Sequence, residues 1–195
     1  MSLPFDYNNE TKQVSLSEGI TDEALLEEIN QLNRLIKDLT SITTEVPESP
    51  EPSLQITNML KKMIAGGVES LKKKQFKDAV TKLTLALEIQ HRRTNWEHFG
   101  VQLSETNGIL QARCDAYIMN KQYIEAYADA DMLLSTQVNT VDNFLRKAIA
   151  ELNLGKLQEA KVDLERGLCF HENDKRLADH LGLVNHAIAV ENGEA

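Results

Sequence analysis

Asn120–Leu134 reads NKQYIEAYADADMLL, and Leu154–Leu168 reads LGKLQEAKVDLERGL. With Glu125-Ala126 laid over Glu159-Ala160, the two segments match at an offset of 34 residues. The bulky residue three places before each alanine also returns, as Tyr123 and Leu157. A fixed period of this length belongs to a helix-turn-helix repeat. One helix pair cannot bury its own apolar face, so flanking sequence must supply further pairs or a cap.

It does so on both sides. Gly67, Phe76, Ala79, Leu83 and Ala86 follow the same template in residues 57–90, although Gly66-Gly67 weakens the middle of that first helix. Repeat two is 107–138 and repeat three 141–172. The step from Ala79 to Ala126 exceeds one period by 13 residues, which places an insertion near 91–106. Trp96 and Phe99 are expected to form the core of that insertion. A last helix, 174–192, opens at Asp174 and carries Leu177, Leu181, Val184 and Ile188 on one face, the pattern of a capping helix. The fold expected for 56–195 is a three-repeat tetratricopeptide (TPR) solenoid with a C-terminal capping helix.

Upstream the pattern changes. In 5–16, Phe5 and Tyr7 alternate on one arm and Val14 and Leu16 on the other, around Asn8-Asn9, which predicts a hairpin. Thr21 is the expected N-cap of a helix whose apolar stripe runs Leu25, Ile29, Leu32, Ile36 and Leu39, broadened by Leu26 and Leu35. That stripe either packs on the chain's own hairpin and repeats or is shared with a second chain. Residues 40–55 hold three of the four prolines. The domain reading is a hairpin-helix docking segment at 1–40, a Pro-rich linker at 41–55, and the TPR domain at 56–195.

Net charge is −9, which argues against nucleic acid as a partner. It is unevenly spread. Residues 1–56 carry 3 basic and 11 acidic groups, residues 57–93 carry 9 and 3, and residues 94–195 carry 9 and 16. Cys114 and Cys169 fall at helical positions expected to be buried, a usage that suits a reducing compartment. No apolar run is long enough for a membrane span, and the N-terminal sequence does not have the form of a secretory signal.

No catalytic constellation, phosphate loop, metal-ligand spacing or cofactor motif is present in the sequence, so it reads as a non-enzymatic protein without cofactors. Asp129 and Asp131 are expected as solvated charges on the second helix of repeat two. Stacked helix pairs provide a concave groove for an extended peptide or a helix.

The repeats resemble the TPR domains that bind acidic C-terminal tails of heat-shock chaperones through a clamp of two Lys, two Asn and one Arg. In register, those five positions are Ile64, Val68, Ala112, Asp142 and Arg146; only Arg146, in the string Phe-Leu-Arg-Lys-Ala, keeps the clamp residue. Lys61, Asn107 and Gln111 lie about one turn from lost positions and are candidate substitutes, while Asp142 would repel an acidic tail if unpaired.

The whole chain resembles the small cytosolic TPR subunit of the fungal post-translational protein-translocation (Sec) complex of the endoplasmic reticulum. The resemblance rests on the insertion string Trp96-Glu97-His98-Phe99-Gly100-Val101-Gln102-Leu103, on Leu164-Glu165-Arg166-Gly167-Leu168, and on the order of segments. It implies a peripheral scaffold on the cytoplasmic face of that membrane. The implied partners are a single-span membrane subunit, other subunits of the complex, and the tails of cytosolic seventy-kilodalton heat-shock chaperones. Partner docking is expected at Leu25, Ile29, Leu32, Ile36 and Leu39, and peptide binding at Arg146, Lys61, Asn107 and Gln111. The alternative is a free cytosolic TPR co-chaperone adaptor, which has little use for an acidic hairpin-helix with a wide apolar stripe.

Overall fold

The structure is a computed structural model that describes residues 4–17, 19, 21–42, 51–94 and 97–194. The chain forms two compact units, Met1–Ser53 with Arg93–Phe99, and Leu54–Arg92 with Gly100–Ala195. Trp96 and residues 43–50 of the Pro-rich segment lie outside the described residues.

In the first unit, β1 (Phe5–Asn8) and β2 (Gln13–Leu16) pair antiparallel with Phe5 opposite Leu16 and Tyr7 opposite Val14. Asn8 closes the turn by accepting from the backbone N–H groups of Glu10 (2.9 Å) and Thr11 (3.0 Å). Helix α1 (Glu23–Ile42) is capped by Asp22, not Thr21: the Asp22 carboxylate accepts from the N–H of Ala24 at 3.0 Å and of Leu25 at 3.2 Å. An aspartate adds negative charge at the positive end of the helix, which a threonine does not. Asn33 of α1 then completes the free edge of β2. Its amide donates to the Val14 carbonyl (2.7 Å) and accepts from the Val14 N–H (2.9 Å), as a third strand would. Within the same unit Arg93 and Glu97 form a buried ion pair at 2.7 Å. Phe99 is 73% exposed, so it is not the insertion core that its aromatic character suggested.

The second unit is three helix pairs and a cap. The pairs are α2 (Leu54–Lys72) with α3 (Phe76–Gln90), α4 (Phe99–Met119) with α5 (Tyr123–Thr136), and α6 (Val141–Asn153) with α7 (Leu157–Phe170); α8 (Lys175–Glu191) follows. This is the TPR solenoid expected from the period. Each hairpin turn is built the same way. Lys74, Lys121 and Gly155 take φ near +60 to +74°, and the next N–H bonds back at 2.9 Å to the carbonyl of Ser70, Tyr117 and Glu151 respectively. The extra residues before repeat two lengthen its first helix: α4 has 21 residues against 13 in α6.

Small residues set how closely the paired helices approach. Ala79, Ala86, Ala126, Ala130 and Ala160 are fully buried, as is Cys114, whereas Cys169 is exposed, contrary to expectation. Burial pushes the Cys114 thiol up to about 12, so it stays protonated and unreactive. α8 closes the stack by burying Leu177 and Val184 against Phe144 and Leu164, and Asp174 caps it.

α2 runs unbroken through Gly66-Gly67 because the second glycine is needed there. A Cβ on Gly67 would lie 2.6 Å from Leu83 Cγ, whereas one on Gly66 would meet only Lys82 Cδ at 3.7 Å. Helix propensity favours alanine over glycine by about 1 kcal/mol, and overpacking costs about 1–3 kcal/mol. Chemical denaturation of the two variants is therefore expected to diverge, with Gly66→Ala stabilising by up to about 1 kcal/mol and Gly67→Ala destabilising by about 1 kcal/mol or more.

Candidate functional site

The first helices of the pairs line one face of the solenoid, and the side chains that matter there come from α4, α6 and α8. Arg146, on α6, sends Nε to Asp115 Oδ1 (2.7 Å) and Nη2 to Asp115 Oδ2 (3.0 Å) on α4. Its Nη1 donates to Asn143 Oδ1 at 3.1 Å, one turn back along α6. Burial works against the Arg146 charge, and the bond to Asp115 with its negative charge outweighs it, holding the guanidinium above its ordinary value. Beside this pair lies a hollow of about 230 Å³ with an apolar floor of Ile118, Met119, Leu145 and Ile149. Asp142, at its edge, is paired with Arg176 of α8 at 2.6 Å. An unpaired Asp142 would repel an anion; here the cap supplies its counter-charge.

The other expected peptide-binding residues are placed apart from Arg146. Lys61 is exposed on α2, bordering a separate hollow with Ile64, Ala65, Val68, Glu69 and Lys72. Gln111 donates to Gln137 Oε1 at 2.9 Å, and Gln137 is in turn reached by Asn143 at 3.4 Å. Asn107 is 3% exposed and accepts from the Thr136 hydroxyl at 2.8 Å, which leaves its side chain turned to α5 rather than open to a ligand. On α1, Ile29 is buried, Leu25, Ile36 and Leu39 are half-buried, and Leu32 is exposed, with Leu26 beside it also exposed.

The opposite side of the repeats carries a second set of charges. Arg113 on α4 forks onto Asp129 on α5 at 2.8 and 2.6 Å, so Asp129 is a 5%-exposed ion-pair partner and not the solvated charge expected. Lys147 of α6 reaches Asp131 of α5 (2.7 Å) and Asp163 of α7 (3.0 Å). Glu151, one turn further along α6, is 1% exposed, and its Oε2 has no hydrogen-bond partner among the described residues. Sequence reading missed the two inter-helix pairs of the groove, Asp115–Arg146 and Asp142–Arg176. The spacing of the second, 34 residues, is the repeat period itself and was the one signal available.

No family model matches the chain. Translocation protein SEC72 of Saccharomyces cerevisiae is 30% identical over 193 residues, which span 98% of this chain and 100% of the yeast protein. The chain belongs to the SEC72 family. A Schizosaccharomyces pombe relative, ER protein translocation subcomplex subunit sec67, is 30% identical over 122 residues, 63% of this chain and 64% of that protein. Among solved structures, a chain in the Sec complex of S. cerevisiae matches with a TM-score of 0.74 at 30% identity, covering 96% of this chain and 99% of that one. The first TPR domain of Spaghetti (RPAP3), solved with the HSP90 peptide SRMEEVD, matches with a TM-score of 0.56 at 20% identity over 68% of this chain and 94% of its own, a likeness of fold. As a SEC72-family chain the protein is a non-enzymatic TPR scaffold of the translocation machinery. Among the described residues no helix is long and apolar enough to cross a membrane.

The SEC72-family chain carries one titration with a readable consequence. Burial, and then the adjacent Asp163 charge, push the Glu151 carboxyl up to about 7, with Lys147 opposing them. A carboxyl whose folded pKa exceeds its unfolded value contributes stability that is complete below the unfolded value and is lost as pH rises through the folded one. Urea midpoints are expected to fall between about pH 5 and about pH 8 from this group. Glu151→Gln, which keeps the neutral shape, should flatten that fall; an unchanged slope would show that Glu151 is ionised throughout.

Proposed function

We propose that the protein is the peripheral TPR subunit of a Sec translocation complex on the cytoplasmic face of the endoplasmic reticulum membrane. There it receives precursors from chaperones that present acidic C-terminal tails to its groove. The observation that carries this reading is the 30% identity over essentially the full length of both chains to a translocation protein. Two features of the molecule support it. The hairpin-helix unit leaves Tyr7, Leu26 and Leu32 more than two-fifths exposed, an apolar surface suited to a partner subunit. The groove keeps Arg146 beside an apolar hollow, and solved TPR domains of the same fold hold the peptides SRMEEVD and SGPTIEEVD.

The docking surface is assigned to the α1 face that includes Leu25, Ile29, Leu32, Ile36 and Leu39, with a single-span membrane subunit of the complex as its partner. Ile29 builds the unit's own core, and Leu26 and Leu32 supply open area. Pull-down from fungal microsomes solubilised in mild detergent should recover a membrane subunit of the complex. The variant Leu26→Asp with Leu32→Asp should lose it while keeping the helical content of the TPR unit. Recovery of no complex subunit by the wild type would sink the assignment.

Tail binding is assigned chiefly to Arg146, with Lys61 on α2 and Gln111 on α4 bordering the path and Asn107 holding α5 in place. Calorimetric titration with the peptide SGPTIEEVD should show Arg146→Ala weakened, by less than the about 1.5–3 kcal/mol of an unopposed charge-assisted hydrogen bond because Asp115 already pairs with Arg146. Equal affinities would remove Arg146 from the site.

A further inference from the structure

Within the groove, the edge of Arg146 made by Nε and Nη2 is already occupied. A guanidinium offers five N–H donors, and the edge made by Nε and one Nη is a face that grips both oxygens of a carboxylate. Asp115 occupies that face at 2.7 and 3.0 Å, and Asn143 takes a hydrogen on the remaining Nη. The two partners are unequally exposed: the Asp115 side chain is 45% accessible and that of Arg146 only 17%. Releasing Asp115 into water is therefore cheap, whereas Arg146 stays shielded and in need of a counter-charge. Asp115 also borders the apolar hollow, next to Ile118 and Met119 on its own helix and Leu145 and Ile149 across from it.

We propose that Asp115 is a specificity-determining residue of the groove, an internal carboxylate that stands where a ligand carboxylate would bind and must be displaced by it. This rests on the reading that acidic tails bind at Arg146, and it says what such a tail must be. A carboxylate alone exchanges one ion pair for another of the same kind and gains little. A tail that pairs a carboxylate with an adjacent apolar side chain gains the hollow as well, because a side chain seated on Ile118, Met119, Leu145 and Ile149 is removed from water. The preferred ligand is thus an acidic peptide with an apolar residue next to the carboxylate, and purely acidic peptides bind weakly. Asp142 does not play the same part, since its partner Arg176 comes from the exposed start of α8 and lies outside the Arg146 fork.

The test is titration of the full chain with the nonapeptide used above, comparing wild type, Asp115→Asn, Arg146→Ala and the double variant. Asp115→Asn keeps size and polarity and removes the competing charge; Asp115→Ser serves as a second variant if thermal melting shows the first to be perturbed. Loss of an ion pair of this partial exposure is expected to tighten peptide binding about two- to five-fold. The gain should vanish in the double variant, and an all-acidic peptide of equal length should bind wild type weakly and gain most from Asp115→Asn. If Asp115→Asn binds no tighter while Arg146→Ala binds more weakly, the proposal is overturned and tail binding at Arg146 stands. If Arg146→Ala binds as wild type does, both fall.

Discussion

The solenoid depends on close approach between paired helices, and that approach depends on side chains too small to hold them apart. Gly67 sits under Leu83, Gly167 sits within 3.0 Å (as a virtual Cβ) of the Phe144 ring, and Ala126 and Ala160 are fully buried where their helices meet the preceding one. Once those positions are small, the larger residues on either side interdigitate: Leu60, Leu83 and Ile109 in the first layer, Phe144, Leu164 and Leu177 in the last. A bulkier residue at any small position would push apart two helices, and each helix also packs on the next pair, so the disturbance would spread along the stack.

α6 is where structural and functional demands meet. One side presents Arg146 and Asp142 to the groove, and the other presents Lys147 and Glu151 to α5 and α7. The four lie within ten residues of each other. On the inner side an ammonium is shared by Asp131 and Asp163, with Glu151 added to a locally negative cluster, and burial beside Asp163 raises the Glu151 carboxyl to about 7. On the groove side Arg146 is paired with Asp115 of α4, and Asp142 with Arg176 of the cap. Asp115 on the groove side is open to water, whereas Asp163 and Glu151 on the inner side are buried.

The fold was legible because it repeats. The offset of 34 residues between two segments places four helices and two turns at once, and the same offset recurs in the left-handed turn residues Lys121 and Gly155. The hairpin was legible from alternation, the cap of α1 less so: Thr21 and Asp22 both fit the cap chemistry, and the choice turned on which carries a charge at the helix start. Phe99 and Cys169 show where composition misleads, since an aromatic and a cysteine are usually inside and here both face out. Of the candidate site, Arg146 was singled out through its register in the repeat. Its partner was not, because a salt bridge between two helices separated by a whole repeat has no local pattern. Asn107 was expected on the groove face, but its side chain is buried against α5, where it accepts from the Thr136 hydroxyl.

The division of labour between apolar burial and ion pairs explains why the groove can differ from that of other TPR domains without loss of the fold. Exposed ion pairs contribute at most about 1 kcal/mol each, while burying a single Leu or Phe contributes about 1.5–3 kcal/mol. The layers built on Leu60, Leu83, Leu133, Phe144, Leu164 and Leu177 therefore hold the stack whatever the charges on the concave face. Ile64, Val68, Ala112 and Asp142 stand at clamp positions without disturbing those layers, because none of the four belongs to the fully buried set. Changes at such positions act on ligand choice far more than on stability. On the proposed reading, Arg146 beside an internal carboxylate bears on which ligands the groove accepts and leaves the scaffold that carries it undisturbed.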